Sequence, residues 1–268
     1  MDAINDPATA LLAGAAAHVV GDYVLGAAIA LHRDDAHHLG KARRLTEGER
    51  VTVSPGDGSV RSYLIDSVGR EAIELRVDSA TAHELEPRPL ALAFAPPKGD
   101  RWELILRAGT ELGVTDFIPL ETDRGIAKWH GRSSARGAKI ILEAMNQSRR
   151  CWRPRVSAPQ QLRDWIESET EGQILLADTP HHSECAPIGV VAASAAVVIG
   201  PEGGFSESER AFTASLPCLV VGTGVVRTET AAVVAVSAML AARQFDSRSP
   251  GAGHESSQSG TISPAGQH

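Results

Sequence analysis

The chain has 268 residues, 43% of them hydrophobic and 22% charged, with a formal net charge of −7. That length suits two modest domains or one large one, and the composition excludes a chain disordered throughout. An acidic molecule is not drawn to a polyanion as a whole, so any nucleic-acid footprint must come from a local basic patch.

The N-terminal stretch "ATALLAGAAAHVVGDYVLGAAIA" is interrupted by His18 and Asp22 and falls short of the ~20 uncharged residues of a membrane helix. Asp2 and Asp6 stand before it, where a signal peptide would be basic. A cytoplasmic protein with no membrane segment is expected. Cys151, Cys185 and Cys218 are widely spaced and odd in number, so all three are expected to be reduced. His37–His38 and His181–His182 lack partners at metal-ligand spacing, and no metal is expected.

From Arg50 to Val77 the pattern predicts short strands, "RVTV", "YLIDSV" and "AIELRV", with "SPGDGS" as a turn. The prolines of "HELEPRPL" suggest a linker. Beyond it "LALAFA" reads as a buried parallel strand, and "DRWELILRAGTELG" as a helix capped by Asp100 with Glu103 three residues on. "VTDFIPL" follows as a strand, then the helices "ARGAKIILEAMNQSRR" and "PQQLRDWIESE", and the strands "QILLAD" and "AAVVIG". "SESERAFTAS" is a helix with a capping box at Ser206 and Glu209, "CLVVG" a strand, and "TETAAVVAVSAMLAARQF" a final Ala-rich helix. This alternation predicts an α/β fold with a mostly parallel sheet. The last stretch, rich in Ser, Gly and Pro, cannot bury enough apolar surface and is expected to be disordered. The expected division is 1–85, 86–245 and a tail over 246–268.

Ligands of open α/β sheets bind beyond the carboxyl ends of the strands. Two loops there are glycine-rich: "IGPEGGFSESE", with Gly200, Gly203 and Gly204, and "VGTGVVRTETA", with Gly222 and Gly224. Missing side chains allow unusual backbone angles and a close approach to a ligand. Neither loop is a phosphate cradle. "GTGVVR" lacks the third glycine of a dinucleotide fingerprint, and "GPEGGFSE" has no Lys-Ser/Thr and carries Glu202. A neutral or cationic ligand group fits better, although tight strand-to-helix turns alone also explain such glycines. Between Arg136 and Arg155 six basic residues face one acidic residue, Glu143, with Trp152 among them. That composition suits either a nucleic-acid patch or a solvated helix end. No Gly-x-Ser-x-Gly elbow supports a hydrolase.

The two glycine loops together resemble the signature of the RsmE family, bacterial methyltransferases acting on N3 of a uridine in 16S ribosomal RNA. "KGDRWELILRAGTELGV", with Lys98 and Glu111-Leu112-Gly113, is similar to the family's first helix, and "EAMNQSRR", with Gln147, Ser148 and Arg150, to a second element. "HHLGKARRL" and "GDGS" resemble its RNA-binding segments, placing His38, Lys41 and Arg44. The sequence departs from the pattern at Asn146, where glutamate is common, and at Gly224, where arginine is common.

The resemblance implies a SPOUT-type methyltransferase domain with a C-terminal trefoil knot, preceded by a small PUA-like β-barrel. It also implies S-adenosyl-L-methionine as donor, 16S rRNA of the small subunit as partner, and a homodimer. Cofactor contacts are expected from Leu176, Gly200, Pro201, Glu202, Gly203, Gly204, Val221, Gly222, Val226 and Thr230. RNA contacts are expected from His38, Lys41, Arg44, Lys98, Arg149, Arg150 and Arg153. Arg227 is expected to stabilise charge on the base, and Glu229 to orient it or receive the N3 proton. Two alternatives are a 2'-O-ribose RNA methyltransferase of the same fold and a non-catalytic ribosome-associated RNA-binding protein.

Overall fold

The computed structural model describes residues 6–32, 45–69, 71–169, 172–178, 192 and 194–246. The expectations for His38, Lys41, Arg44, both histidine pairs and the tail beyond 246 lie outside the described residues.

Helix α1 (Pro7–Ala13) is capped by the Asp6 carboxylate, which accepts from the Ala8 N–H. Six strands then form the first sheet: β1 (Ala17–Val20), β2 (Ala28–His32), β3 (Arg50–Ser54), β4 (Ser59–Val68), β5 (Ala72–Val77) and β6 (Ala82–His83). Their order is β1-β3-β4-β5-β2, with β6 on β4. All neighbours are antiparallel except β1 and β3. Leu31, Val51, Val53, Tyr63, Ile65, Ile73 and Leu75 fill its core. The stretch read as a linker is partly strand, since Ala82 and His83 pair with Val60 and Ser59.

The second sheet holds β7 (Leu90–Phe94), β8 (Asp116–Glu121), β9 (Arg155–Val156), β10 (Gln160–Gln161), β11 (Gln173–Asp178), β12 (Ala195–Ile199) and β13 (Cys218–Val220). Its order is β10-β8-β7-β12-β11-β13, with β9 on β8, and every pairing is parallel. Such a sheet needs cover on both faces, and its strands read as continuous apolar runs. On one face α2 (Trp102–Leu112), α3 (Gly131–Ser148) and α6 (Thr228–Asp246) pack on Leu92, Phe94, Phe117 and Val197. On the other, Leu162 and Trp165 of α4 (Leu162–Ser168) and Phe205, just before α5 (Glu207–Thr213), meet Ile118, Leu176 and Val198. Strand β12 returns between β7 and β11 before the chain crosses to β13, a crossover arrangement consistent with a knot. No described helix is long and apolar enough to cross a membrane.

Two local expectations are corrected. The capping box at Ser206 and Glu209 is present. The one expected at Asp100 and Glu103 is not: Gly99–Arg101 form a 3-10 turn, α2 starts at Trp102 without a side-chain cap, and the Glu103 carboxylate pairs with Arg136 of α3. Cys151 is free and buried, and burial pushes its thiol up to about 12, leaving it unreactive. Cys218 is disulfide-bonded, so not all three cysteines are reduced; spacing along the chain does not report distance in the fold.

The two sheets are joined through the segment after α3. The Asn146 side-chain carbonyl accepts the Val20 N–H at 2.6 Å, and the Cys151 carbonyl accepts the Gly58 N–H at 2.9 Å. Gly58 has φ +89°, and a Cβ there would stand 2.4 Å from the Trp152 ring, which lies across it. His18, 2% exposed, completes the joint. Its Nε2 lies 3.2 Å from the Arg150 carbonyl, which can only accept, so Nε2 carries the proton and Nδ1 accepts from the Thr52 hydroxyl at 2.9 Å.

Burial pushes His18 down to about 4; the Arg150 carbonyl opposes the shift and the Arg149 charge adds to it. The folded value lies below the ordinary 6.5, so His18 contributes stability above pH 6.5 that is lost as pH falls towards 4. The loss amounts to about 3 kcal/mol at most. Urea denaturation at pH 7 and pH 4.5 should show wild type losing most of this increment and a His18→Asn variant lacking it.

Candidate functional site

Strand β12 is apolar and buried on both faces through Ile199, and the chain must leave it sharply. At Gly200 a Cβ would come within 2.8 Å of the ring of Phe205, itself 4% exposed. Pro201 to Gly204 then form a turn in which the Gly204 N–H reaches the Pro201 carbonyl at 2.8 Å, with Gly204 left-handed at φ +67°. The Ser206 cap follows at once. One oxygen of Glu209 takes the Ser206 N–H at 2.7 Å and the other takes the Asp123 N–H at 2.8 Å. The capping box therefore also fastens the loop after β8, from which Arg124 Nη1 donates to the Gly203 carbonyl at 3.2 Å.

The second glycine loop leaves β13 at Val221. A Cβ on Gly222 would stand 3.1 Å from Val226, so the loop folds tightly over that side chain. At its end the Thr228 hydroxyl donates to the Gly200 carbonyl at 3.2 Å and ties the two loops together. Between them is a cavity of about 300 Å³, at the small end for organic-ligand sites.

Seven of the ten residues expected to hold a cofactor line this cavity: Gly200, Pro201, Glu202, Gly203, Gly204, Val221 and Val226. Gly222 is in the same loop, Leu176 is buried in β11, and Thr230 is exposed on α6. Sequence reading missed Arg124, Phe205, Arg210, Thr228 and Ala231, which also line it. The walls are largely backbone and apolar side chains. No lysine accompanies the glycines, and Glu202 is ion-paired with Arg101 at 2.8 Å. These features fit a ligand with a polar but non-phosphorylated body.

Arg227 and Glu229 differ sharply in setting. Arg227 is exposed, and its carbonyl accepts the Ala231 N–H in the first turn of α6. Glu229 is 6% exposed, one oxygen lies 3.9 Å from Arg101 Nη1, and the other is buried with no hydrogen-bond partner among the described residues. Among the described residues no cluster of three or more His, Cys, Asp or Glu could hold a metal ion.

The basic stretch after α3 does not present its arginines equally. Arg149 has φ +58° and donates to the Leu12 carbonyl. Arg150 lies against Gly113, whose φ of +95° ends α2. Arg153 reaches the Pro55 carbonyl at 3.3 Å and Asp22 at 3.4 Å. Lys98 is exposed beside the 3-10 turn. Arg149 and Arg153 thus tie the segment after α3 to the N-terminal unit as well as supplying charge.

A family profile described as an RNA methyltransferase domain matches residues 84–240, and one described as an RNA methyltransferase PUA domain matches residues 31–78. A ribosomal RNA small subunit methyltransferase E from Aquifex aeolicus is 33% identical over 220 residues, 80% of this chain and 95% of the relative. The protein of the same name from Bacillus subtilis is 29% identical over 77% of this chain and 87% of its own. Among solved structures, a Legionella pneumophila methyltransferase with bound S-adenosylmethionine superposes with a TM-score of 0.71 at 28% identity, covering 85% of this chain and 97% of that one. The match spans both sheets and the cavity between the glycine loops, and the chain belongs to the ribosomal RNA small subunit methyltransferase E family.

Proposed function

We propose that the protein transfers the methyl group of S-adenosylmethionine to N3 of a uridine in 16S rRNA of the small ribosomal subunit. The observation that carries this reading is the cavity between Gly200–Gly204 and Val221–Val226, closed at one side by Thr228, the residue before the buried carboxylate Glu229. The cofactor fits it: the glycines leave backbone to contact an adenosyl or methionyl group. When bound, it supplies an electrophilic methyl on a sulfonium.

The remaining chemistry falls to the chain. The N3–H of uridine is mostly in place at neutral pH, so a group of the chain must take up that proton for N3 to act as the nucleophile. The unpartnered oxygen of Glu229 is our choice of acceptor for that proton. To exposed Arg227, two residues earlier, we assign the role of offsetting charge that develops on the uracil oxygens. The first sheet and the basic residues Lys98, Arg150 and Arg153, with His38, Lys41 and Arg44, are read as the RNA-contacting side, divided from the catalytic unit near residue 85. We read the enzyme as a homodimer, as the resemblance of its sequence to the family implies.

Two measurements test this. Gly200→Ala forces the buried Phe205 ring aside and should weaken S-adenosylmethionine binding by about tenfold in calorimetry; unchanged affinity places the cofactor elsewhere. Arg227→Ala should slow single-turnover methylation of small-subunit RNA by about 100-fold while cofactor affinity stays within about threefold of wild type. An unchanged rate removes the stabilising role.

A further inference from the structure

Arg101 ends the 3-10 turn before α2, and each arm of its guanidinium is engaged. Nε donates to the Lys98 carbonyl at 3.1 Å, Nη2 is 2.8 Å from Glu202 Oε1, and Nη1 is 3.9 Å from Glu229 Oε1. Glu202 belongs to the first glycine loop and lines the cavity; Glu229 belongs to the first turn of α6. One cation thus spans two carboxylates that come from elements 27 positions apart in sequence and would repel each other without it.

The burial of Glu229 makes that contact informative. Its side chain is 8% exposed, and a buried carboxylate is retained only where a charge or donors compensate it. Arg101 faces Oε1, and the N-terminal turn of α6 adds its dipole. Oε2 has no partner among the described residues. Thr228 and Ala231, which flank Glu229 in the same helix, line the cavity, and an unpartnered buried oxygen next to them in the chain is a candidate acceptor for a donor that a ligand brings.

We propose that Arg101 is a positioning residue of the methyl-transfer site: it holds the cofactor loop through Glu202 and, with the same guanidinium, fixes Glu229 so that Oε2 is presented to the N–H of the target base. This rests on the reading of Glu229 as proton acceptor given above. Seating of the cofactor loop and placement of the reacting carboxylate are then one event. A lysine keeps the charge, but its three N–H donors radiate from one nitrogen and cannot span acceptors spread across the width of a guanidinium.

The test uses the full chain, with S-adenosylmethionine affinity from calorimetry and single-turnover methyl transfer to small-subunit RNA at saturating cofactor. The variants are Arg101→Ala, Arg101→Lys, Glu202→Gln, Glu229→Gln and the doubles Arg101→Ala/Glu229→Gln and Arg101→Ala/Glu202→Gln. Arg101→Ala should lower the saturated rate by about 100-fold, as misplacement of a reacting group does, with cofactor affinity reduced by less than about tenfold. Arg101→Lys should recover about tenfold of the lost rate. Once Glu229 is gone, removing Arg101 should cost little further rate, and its effect on cofactor binding should be non-additive with Glu202→Gln. Independent, multiplying losses in either double variant overturn the proposal, as does a loss confined to cofactor affinity. A wild-type rate in Glu229→Gln overturns the proton-acceptor reading itself, and the positioning role with it. Multiplying losses alongside a slow Glu229→Gln overturn the positioning role alone.

Discussion

The way the chain leaves strand β12 governs the candidate site. A strand packed on both faces between β7 and β11 has no free side on which to turn, and Gly200 solves this because the ring of Phe205 occupies the place of a side chain. The turn delivers Ser206 as a cap, the cap aligns Glu209, and Glu209 in turn holds Asp123 and the loop bearing Arg124. The Gly200 carbonyl also receives the Thr228 hydroxyl, so the start of α6, with Arg227 and Glu229, is set from the same point. The cavity and the start of α6 are therefore both organised around one crowded glycine.

The segment from Asn146 to Arg155 is the second organising feature. It follows α3, places Asn146 on Val20, Arg149 on Leu12, Trp152 over Gly58 and Arg153 against Pro55. In the first sheet, "GDGS" is thereby given a packing task, with Gly58 lying flat beneath an indole. Asn146 departs from the family pattern yet makes a 2.6 Å hydrogen bond across the junction of the two sheets. A basic cluster used in this way supplies positive potential while its backbone and side chains hold the two units together.

Local signals were legible in the sequence and distant ones were not. Ser206 and Glu209 announce their helix because a cap works over three residues, and the parallel strands announce themselves as apolar runs. The same spacing at Asp100 and Glu103 misleads, because Arg136 of α3 claims the Glu103 carboxylate. Strands β1 and β2 are hidden in an Ala-rich stretch with no alternation. The glycine loops marked the cavity, since missing side chains are visible in a sequence. Arg101 was not legible as part of the site, because both its carboxylate partners lie more than 100 positions away. Arg124, on the loop after β8, and Arg210, on α5, join the cavity only in the folded chain.

The family relation supports S-adenosylmethionine-dependent methylation of ribosomal RNA, and a base nitrogen as the acceptor is the proposal made above. The most direct measurement incubates the protein with unmodified small ribosomal subunits and isotope-labelled S-adenosylmethionine, then identifies the labelled nucleoside in the rRNA by mass spectrometry. The account predicts 3-methyluridine at one position. Label on a ribose 2'-oxygen, or no label despite measured cofactor binding, would contradict it.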